Sequence, residues 1–347
     1  MIDRIGCLAL AVGRMRMSAL VTALAVAALG AGLPAPAAAQ SAKKLIRIHT
    51  AGPNDLGVDN TMMAHQFAAY VNAHADSVEV KVFPNSQLGQ SREVIEAMRL
   101  GSGAAGTTGG PAEYAAFVKR VGVLGLPFVW KSYDHAMAAL HGSVGKALEG
   151  DMEKAGFKVL GWSVSWGYRN VVTAKKVVTK PEELKGLKIR TIPTKVFVAA
   201  INSMGANATP MNFGEIYTSL QSGVLDGYEH TAATTVSFKF NEVACCIALT
   251  RHLMDPTFLV MSMAEWKKLN ANEQGVMIKG GQLAAEIVRA MAPMREADAM
   301  AAVQKLGMKI HEIDLAPLQK AAAPAQDDLA KDFGAESLLA EIRKLQN

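Results

Sequence analysis

Arg190 stands near the end of a short apolar run, Leu187–Ile192, and His230 follows the strand-and-turn segment Val224–Tyr228. A planar guanidinium holds a carboxylate through two parallel, charge-assisted hydrogen bonds, so Arg190 is a candidate clamp for an anionic ligand. The rival role for it is a structural ion pair. Neutral His230 could donate and accept hydrogen bonds, and protonated it would add a positive group. A histidine satisfied by local backbone is the alternative. Tyr228 and Phe213 could wall such a site, although Phe213 suits a helix-face core position equally well. Glu229 reads as structural, because a carboxylate facing an anion would repel it unless a cation sat between. No G-x-S-x-G and no Cys/His nucleophile context is present, so no catalytic residue is assigned. Arginine-based recognition without an activated base suits binding rather than turnover.

The elements that must position these groups are legible around them. Val196, Phe197, Ala200, Ile201 and Met204 have helical spacing, with Thr194 as N-cap and Gly205 as stop. Asn212 precedes a second helix whose face carries Phe213, Ile216, Tyr217 and Leu220, and Glu215 completes the pattern of a capping box. Asn212 is placed with the candidate ligand residues. Strand, helix, helix and strand follow one another, and ligands gather at the carboxyl ends of strands in such units. Arg190 and His230 would both lie there.

The same alternation runs through the chain. Lys44–Thr50 and Val78–Phe83 read as strands, and Thr61–Asn72 and Ser91–Leu100 as helices, an α/β pattern. The glycine-rich stretch Gly101–Gly110 matches neither a P-loop nor a dinucleotide fingerprint, so no nucleotide cofactor is expected. Val121–Trp130 reads as an apolar strand and loop, Tyr133–Leu140 and Val144–Lys154 as helices, and Phe157–Ser165 as a strand. Glu273–Leu306 is a long helical run with near-heptad apolar spacing. Gly280 and Gly281 within it favour packing against its own chain over a coiled-coil partner. Leu338–Leu345 reads as a short amphipathic helix. The eight histidines are scattered, and His135 and His141 do not share a helix face, so no metal site is assigned.

The chain has 347 residues, half of them hydrophobic, enough for two domains with sizeable cores. Arg4, Arg14 and Arg16 precede the apolar segment Ser18–Gly32, and Ala37–Ala39 supplies small residues before Gln40. This is the pattern of a secretory signal peptide cleaved after Ala39, with Met15 or Met17 as alternative starts. An uncleaved anchor helix is the rival. Removal of residues 1–39 lowers the formal charge from +5 to about +3. Nothing in the basic residues interleaves with aromatics, so nucleic acid is not expected as a partner. Cys7 leaves with the leader and lacks a lipobox. Adjacent Cys245 and Cys246 read as two small apolar residues rather than a disulfide.

The blocks Leu184–Arg190 (LKGLKIR) and Phe213–Glu229 (FGEIYTSLQSGVLDGYE) closely resemble those of the DctP-like solute-binding proteins of tripartite ATP-independent periplasmic (TRAP) transporters. Phe83–Ser102, Leu126–Trp130, Lys239–Val243 and Thr250–Leu269 are similar to further family blocks, so the resemblance covers nearly all of the chain after residue 43. It implies a two-lobed periplasmic-binding-protein fold of class II type, with a ligand cleft between lobes and a long helix spanning both. Residues 40–166 and 256–294 would form lobe I, and 167–255 and 295–347 lobe II. The resemblance also implies that Arg190 clamps a ligand carboxylate and that Arg169, in the block Trp166–Asn170, is a second ligand arginine. The Arg169–Arg190 spacing is one residue longer than in other members, and His230 stands where many members carry Asn and others Trp. Gly101–Gly110 would line the cleft. The function implied is capture of a small organic acid in the periplasm and its delivery to TRAP permease subunits in the membrane. A receptor presenting ligand to a sensor kinase or chemoreceptor is the first alternative, and a periplasmic enzyme acting on an acid the second. A cation assisting the ligand carboxylate occurs in parts of the family, and the sequence leaves that open.

Overall fold

A computed structural model describes residues 42–345. The expected leader therefore lies outside the described residues. Two sheets organise the described chain. The first joins β1 (Lys44–His49), β2 (Val78–Phe83), β3 (Gly106–Gly109), β4 (Phe157–Ser163) and β10 (Thr257–Ser262) in the order β2-β1-β3-β10-β4. The second joins β5 (Arg169–Thr173), β6 (Lys188–Thr191), β7 (Asn207–Pro210), β8 (Gly227–His230), β9 (Cys246–Leu253) and β11 (Lys309–His311) in the order β11-β9-β5-β8-β6-β7. In each sheet the strands run parallel except one: β10 is antiparallel to β3 and β4, and β5 is antiparallel to β8 and β9. The chain passes between the sheets three times, directly from β4 to β5 and from β9 to β10, and then from β10 to β11 through the helix Ala271–Lys305; the two antiparallel strands, β5 and β10, are those entered by the two direct crossovers.

Apolar residues sort to the two faces of the first sheet. Ile46, Ile48, Val78 and Val80 pack with Phe67 and Val71 of the helix Asp59–His74. Trp162 and Phe258 face the opposite side, toward Leu140, Val144 and Leu148. The helix Ala271–Lys305 runs along both sheets, burying Ala284, Ala285 and Val288 on the first and Ala299 and Val303 on the second. Its paired glycines explain how close it comes. A Cβ at Gly281 would lie 2.6 Å from the Leu160 carbonyl oxygen, and one at Gly280 would lie 2.9 Å from the Tyr70 ring. This is an intrachain contact, as the glycines suggest.

Four local features differ from the sequence reading. Val121–Trp130 contributes no strand; Lys119–Gly125 is a 3-10 helix, and Trp130 Nε1 donates to Leu124 O at 2.8 Å to close the turn after it. The Asn212 capping box does not form. Asn212 instead donates its amide to Glu215 Oε1 at 3.0 Å, and the first turn, Phe213–Glu215, is 3-10. Cys245 and Cys246 are joined by a disulfide at the start of β9. The helix Ala316–Phe333, unread in the sequence because prolines flank and interrupt it, packs with Glu336–Lys344 against the first sheet's helices: Leu329, Leu338 and Ile342 share a core with Leu140 and Leu148. The start of the helix Ala316–Phe333 also reaches the second layer, where Leu318 shares a core with Val171, Ile189 and Ala248.

Candidate ligand-binding site

The second sheet brings four polar groups to one edge. Arg190 is near the carboxyl end of β6 and His230 at that of β8. Because β5 is antiparallel, its first residue, Arg169, arrives at the same edge, with Asn170 opposite His230 and Arg169 opposite Leu253. Asp255 follows two residues after β9 ends. The first sheet faces this edge with Gly110, at the end of β3, and with Trp166, in the first crossover; Arg190, Asn212, Phe213, His230 and Asp255 line the same cavity of about 710 Å³. Gly110 leaves room there, since its Cβ would sit 3.6 Å from the Trp166 ring.

Arg169 is committed to the protein. Its Nε donates to Glu229 Oε2 at 2.6 Å and its Nη2 to Oε1 at 2.8 Å, a bidentate pair with both side chains buried. His252 Nε2 lies 3.6 Å from the same carboxylate, and Asp255 Oδ2 lies 3.8 Å from Arg169 Nη1. Burial opposes the charge on Arg169, yet Glu229 outweighs it and the guanidinium titrates above its ordinary range. Burial would likewise raise Glu229, but Arg169 and His252 hold it down at about 2. The pair is a closed unit.

Arg190 differs. It too is buried, at 2 % exposure, and its Nε donates to Met211 O at 2.9 Å. Its guanidinium lies 5.7 Å from the centre of the Phe213 ring. Among the described residues no carboxylate is paired with it, and Nη1 has no hydrogen-bond partner. Burial lowers its pKa to about 10, with Glu229 offsetting this in part. A buried cationic donor without a partner is costly, and an anion in the cavity would satisfy it.

His230 lies beside Arg169. The Thr231 backbone N–H donates to His230 Nδ1 at 2.9 Å, so the neutral ring, assigned from this bond, carries its proton on Nε2. That nitrogen lies 3.5 Å from Arg169 Nη1. Burial, then Arg169, drives the ring pKa well below the usual value, so His230 is neutral. Two N–H groups at that separation cannot satisfy each other.

The predicted residues therefore divide. Arg190, His230, Phe213 and Asn212 meet at the cavity, Arg169 stands behind it, and Tyr228 does not reach it. Tyr228 is fully buried in the second sheet's core, where its hydroxyl bonds Thr235 Oγ1 at 2.7 Å. Phe213 meets His230 edge-on at 5.9 Å and packs on Phe238 and Phe240 behind, so it is wall and core together. Trp166, Glu113 and Asp255 also line the cavity and were not singled out as ligand residues. Asp255 precedes Pro256 and reads locally as a turn, so no sequence signal separated it. Among the described residues, no three His, Cys, Asp or Glu side chains gather to hold a metal ion. No described helix is long and apolar enough to cross a membrane.

Comparison with known proteins identifies the family and the fold. A solute-binding protein of Verminephrobacter eiseniae is 34 % identical over 313 residues, 90 % of this chain and 91 % of its own length. The TRAP periplasmic solute-binding protein of Chromohalobacter salexigens, solved with D-glucuronate, superposes with a TM-score of 0.81 at 29 % identity, over 86 % of this chain and 99 % of that one. That of Polaromonas, solved with D-erythronate, gives 0.79 at 30 %, over 86 % and 98 %. The fold is the two-lobed α/β fold of these proteins. The pattern of the bacterial extracellular solute-binding proteins, family 7 (DctP), matches residues 57–332, and the chain belongs to that family.

Proposed function

We propose that this protein captures a small organic acid outside the cytoplasm and delivers it to the membrane subunits of a TRAP-type permease. One lobe is the first sheet with the two C-terminal helices, the other is the second sheet, and the acid binds between them at the crossovers. The leader 1–39 would be the export signal. The observation that carries the reading is the buried Arg190 guanidinium at the cavity, with Nη1 unpartnered. The ligand carboxylate would take that donor, with His230 Nε2 as a second. Arg169 holds the site indirectly, by fixing Glu229 and β8. Support for a hydroxylated acid comes from the ligands of the two solved relatives, glucuronate and erythronate.

Native mass spectrometry of the exported protein, followed by denaturation, tests the reading. A stoichiometric carboxylic acid is expected, and Arg190→Ala should lose it, at a cost of about 2–5 kcal/mol of binding free energy. An Arg190→Ala protein that holds the same acid as tightly as the parent would refute the assignment.

A further inference from the structure

Asp255 sits in the second crossover, at the edge where an anion is expected. An acidic group there works against a carboxylate ligand, so its presence calls for a reason. The side chain is buried, at 3 % exposure, and lines the cavity. Oδ2 leans toward Arg169 Nη1 at 3.8 Å, beyond a direct hydrogen bond. Oδ1 has no hydrogen-bond partner among the described residues. A Cβ at Gly125 would lie 3.6 Å from Oδ1, in ordinary van der Waals contact. The charges acting on it are Arg169, Glu229 and Glu113. Arg169 is already matched by Glu229, so Asp255 is not needed to neutralise it.

We propose that Asp255 is a specificity-determining residue that accepts a hydrogen bond from a hydroxyl of the ligand, so that the site selects hydroxylated acids over their unsubstituted counterparts. This inference rests on the anion site at Arg190. Two further features agree with a hydroxyl as the partner. Neutral polar groups, Gln90, Ser91, Thr194 and Asn212, line the same cavity, as a polyhydroxylated chain would need. Burial, with Glu229 and Glu113 adding to it and Arg169 opposing, raises the Asp255 pKa to about 6. A carboxyl balanced between its two forms can accept from or donate to a hydroxyl, whereas an ammonium needs the ionised form alone.

Isothermal titration with D-gluconate and hexanoate, which share a six-carbon acid skeleton, and with D-glucosaminate, decides the matter. Wild type should prefer D-gluconate to hexanoate. Asp255→Asn should weaken D-gluconate by about 10- to 100-fold, as expected for a hydrogen bond to a charged group, and bind hexanoate no worse. Equal selectivity in wild type and Asp255→Asn would overturn the inference while leaving the anion site intact. So would a wild type that binds hexanoate as well as D-gluconate, a result that needs no folded variant. Tighter wild-type binding of D-glucosaminate would also overturn it, by making an ammonium the partner. If wild type binds none of the three acids, the anion reading falls and the inference falls with it.

Discussion

Arg169 and Arg190 flank the strand β8, one on β5 and one on β6, and both are almost wholly buried. Their surroundings are opposite. Arg169 meets a bidentate carboxylate from the neighbouring strand; Arg190 meets one backbone carbonyl, the Phe213 ring and a cavity. Arg169 has its counter-charge within the fold, whereas Arg190 Nη1 has no hydrogen-bond partner among the described residues. Burial alone does not tell the two apart. Their hydrogen-bond partners do.

The largest expected effect follows from breaking the closed pair. Glu229→Ala leaves Arg169 buried without its counter-charge and should lower unfolding free energy by about 3–5 kcal/mol, read from urea denaturation. Arg190→Ala should leave that quantity unchanged or raised, since burial already disfavours its charge. A comparable loss of stability in both variants would erase the contrast between the arginines.

Acid titration sharpens the same comparison. Glu229 has a folded pKa of about 2, below its ordinary 4.5, so the stability it contributes is complete above about pH 4.5 and is lost as pH falls toward 2. His230 is depressed from 6.5, so the folded state resists its protonation and stability declines as pH drops below 6.5. Asp255 is raised from 3.8 to about 6 and acts with the other sign: its destabilising ionisation is relieved as pH falls through that window. Thermal unfolding of wild type across pH 2–5 should therefore be steeper than that of Glu229→Gln. Parallel curves would mean that the pair is not the acid-labile element.

The smallest effect belongs to Tyr228. Tyr228→Phe deletes the hydroxyl bonded to Thr235, and should cost about 1 kcal/mol of stability. Ligand affinity should not change, because the ring lies in the core and not at the cavity. A tenfold loss of affinity would bring Tyr228 back into the site.

By itself, the sequence determined the local elements. Alternation at Val78–Phe83 returned β2 with those bounds, and Thr194 caps the helix it was assigned to, with its hydroxyl accepting from the Phe197 N–H. The paired glycines of the long helix were legible because only a close intrachain approach explains them. Arg190, His230, Phe213 and Asn212 were legible as a group because their strands and turns sit within one short stretch of chain. What only the tertiary structure decided was the partner of each charge. Glu229 reaches Arg169 across 60 residues of sequence, and the antiparallel β5 is what carries Arg169 to the edge that holds Arg190 and His230. Asp255, a turn residue by its local context, enters the cavity because the chain crosses between sheets there. Patterning and capping are set by neighbours a few residues apart, while ion pairing and cavity lining depend on strand order and crossing points, which bring distant residues together.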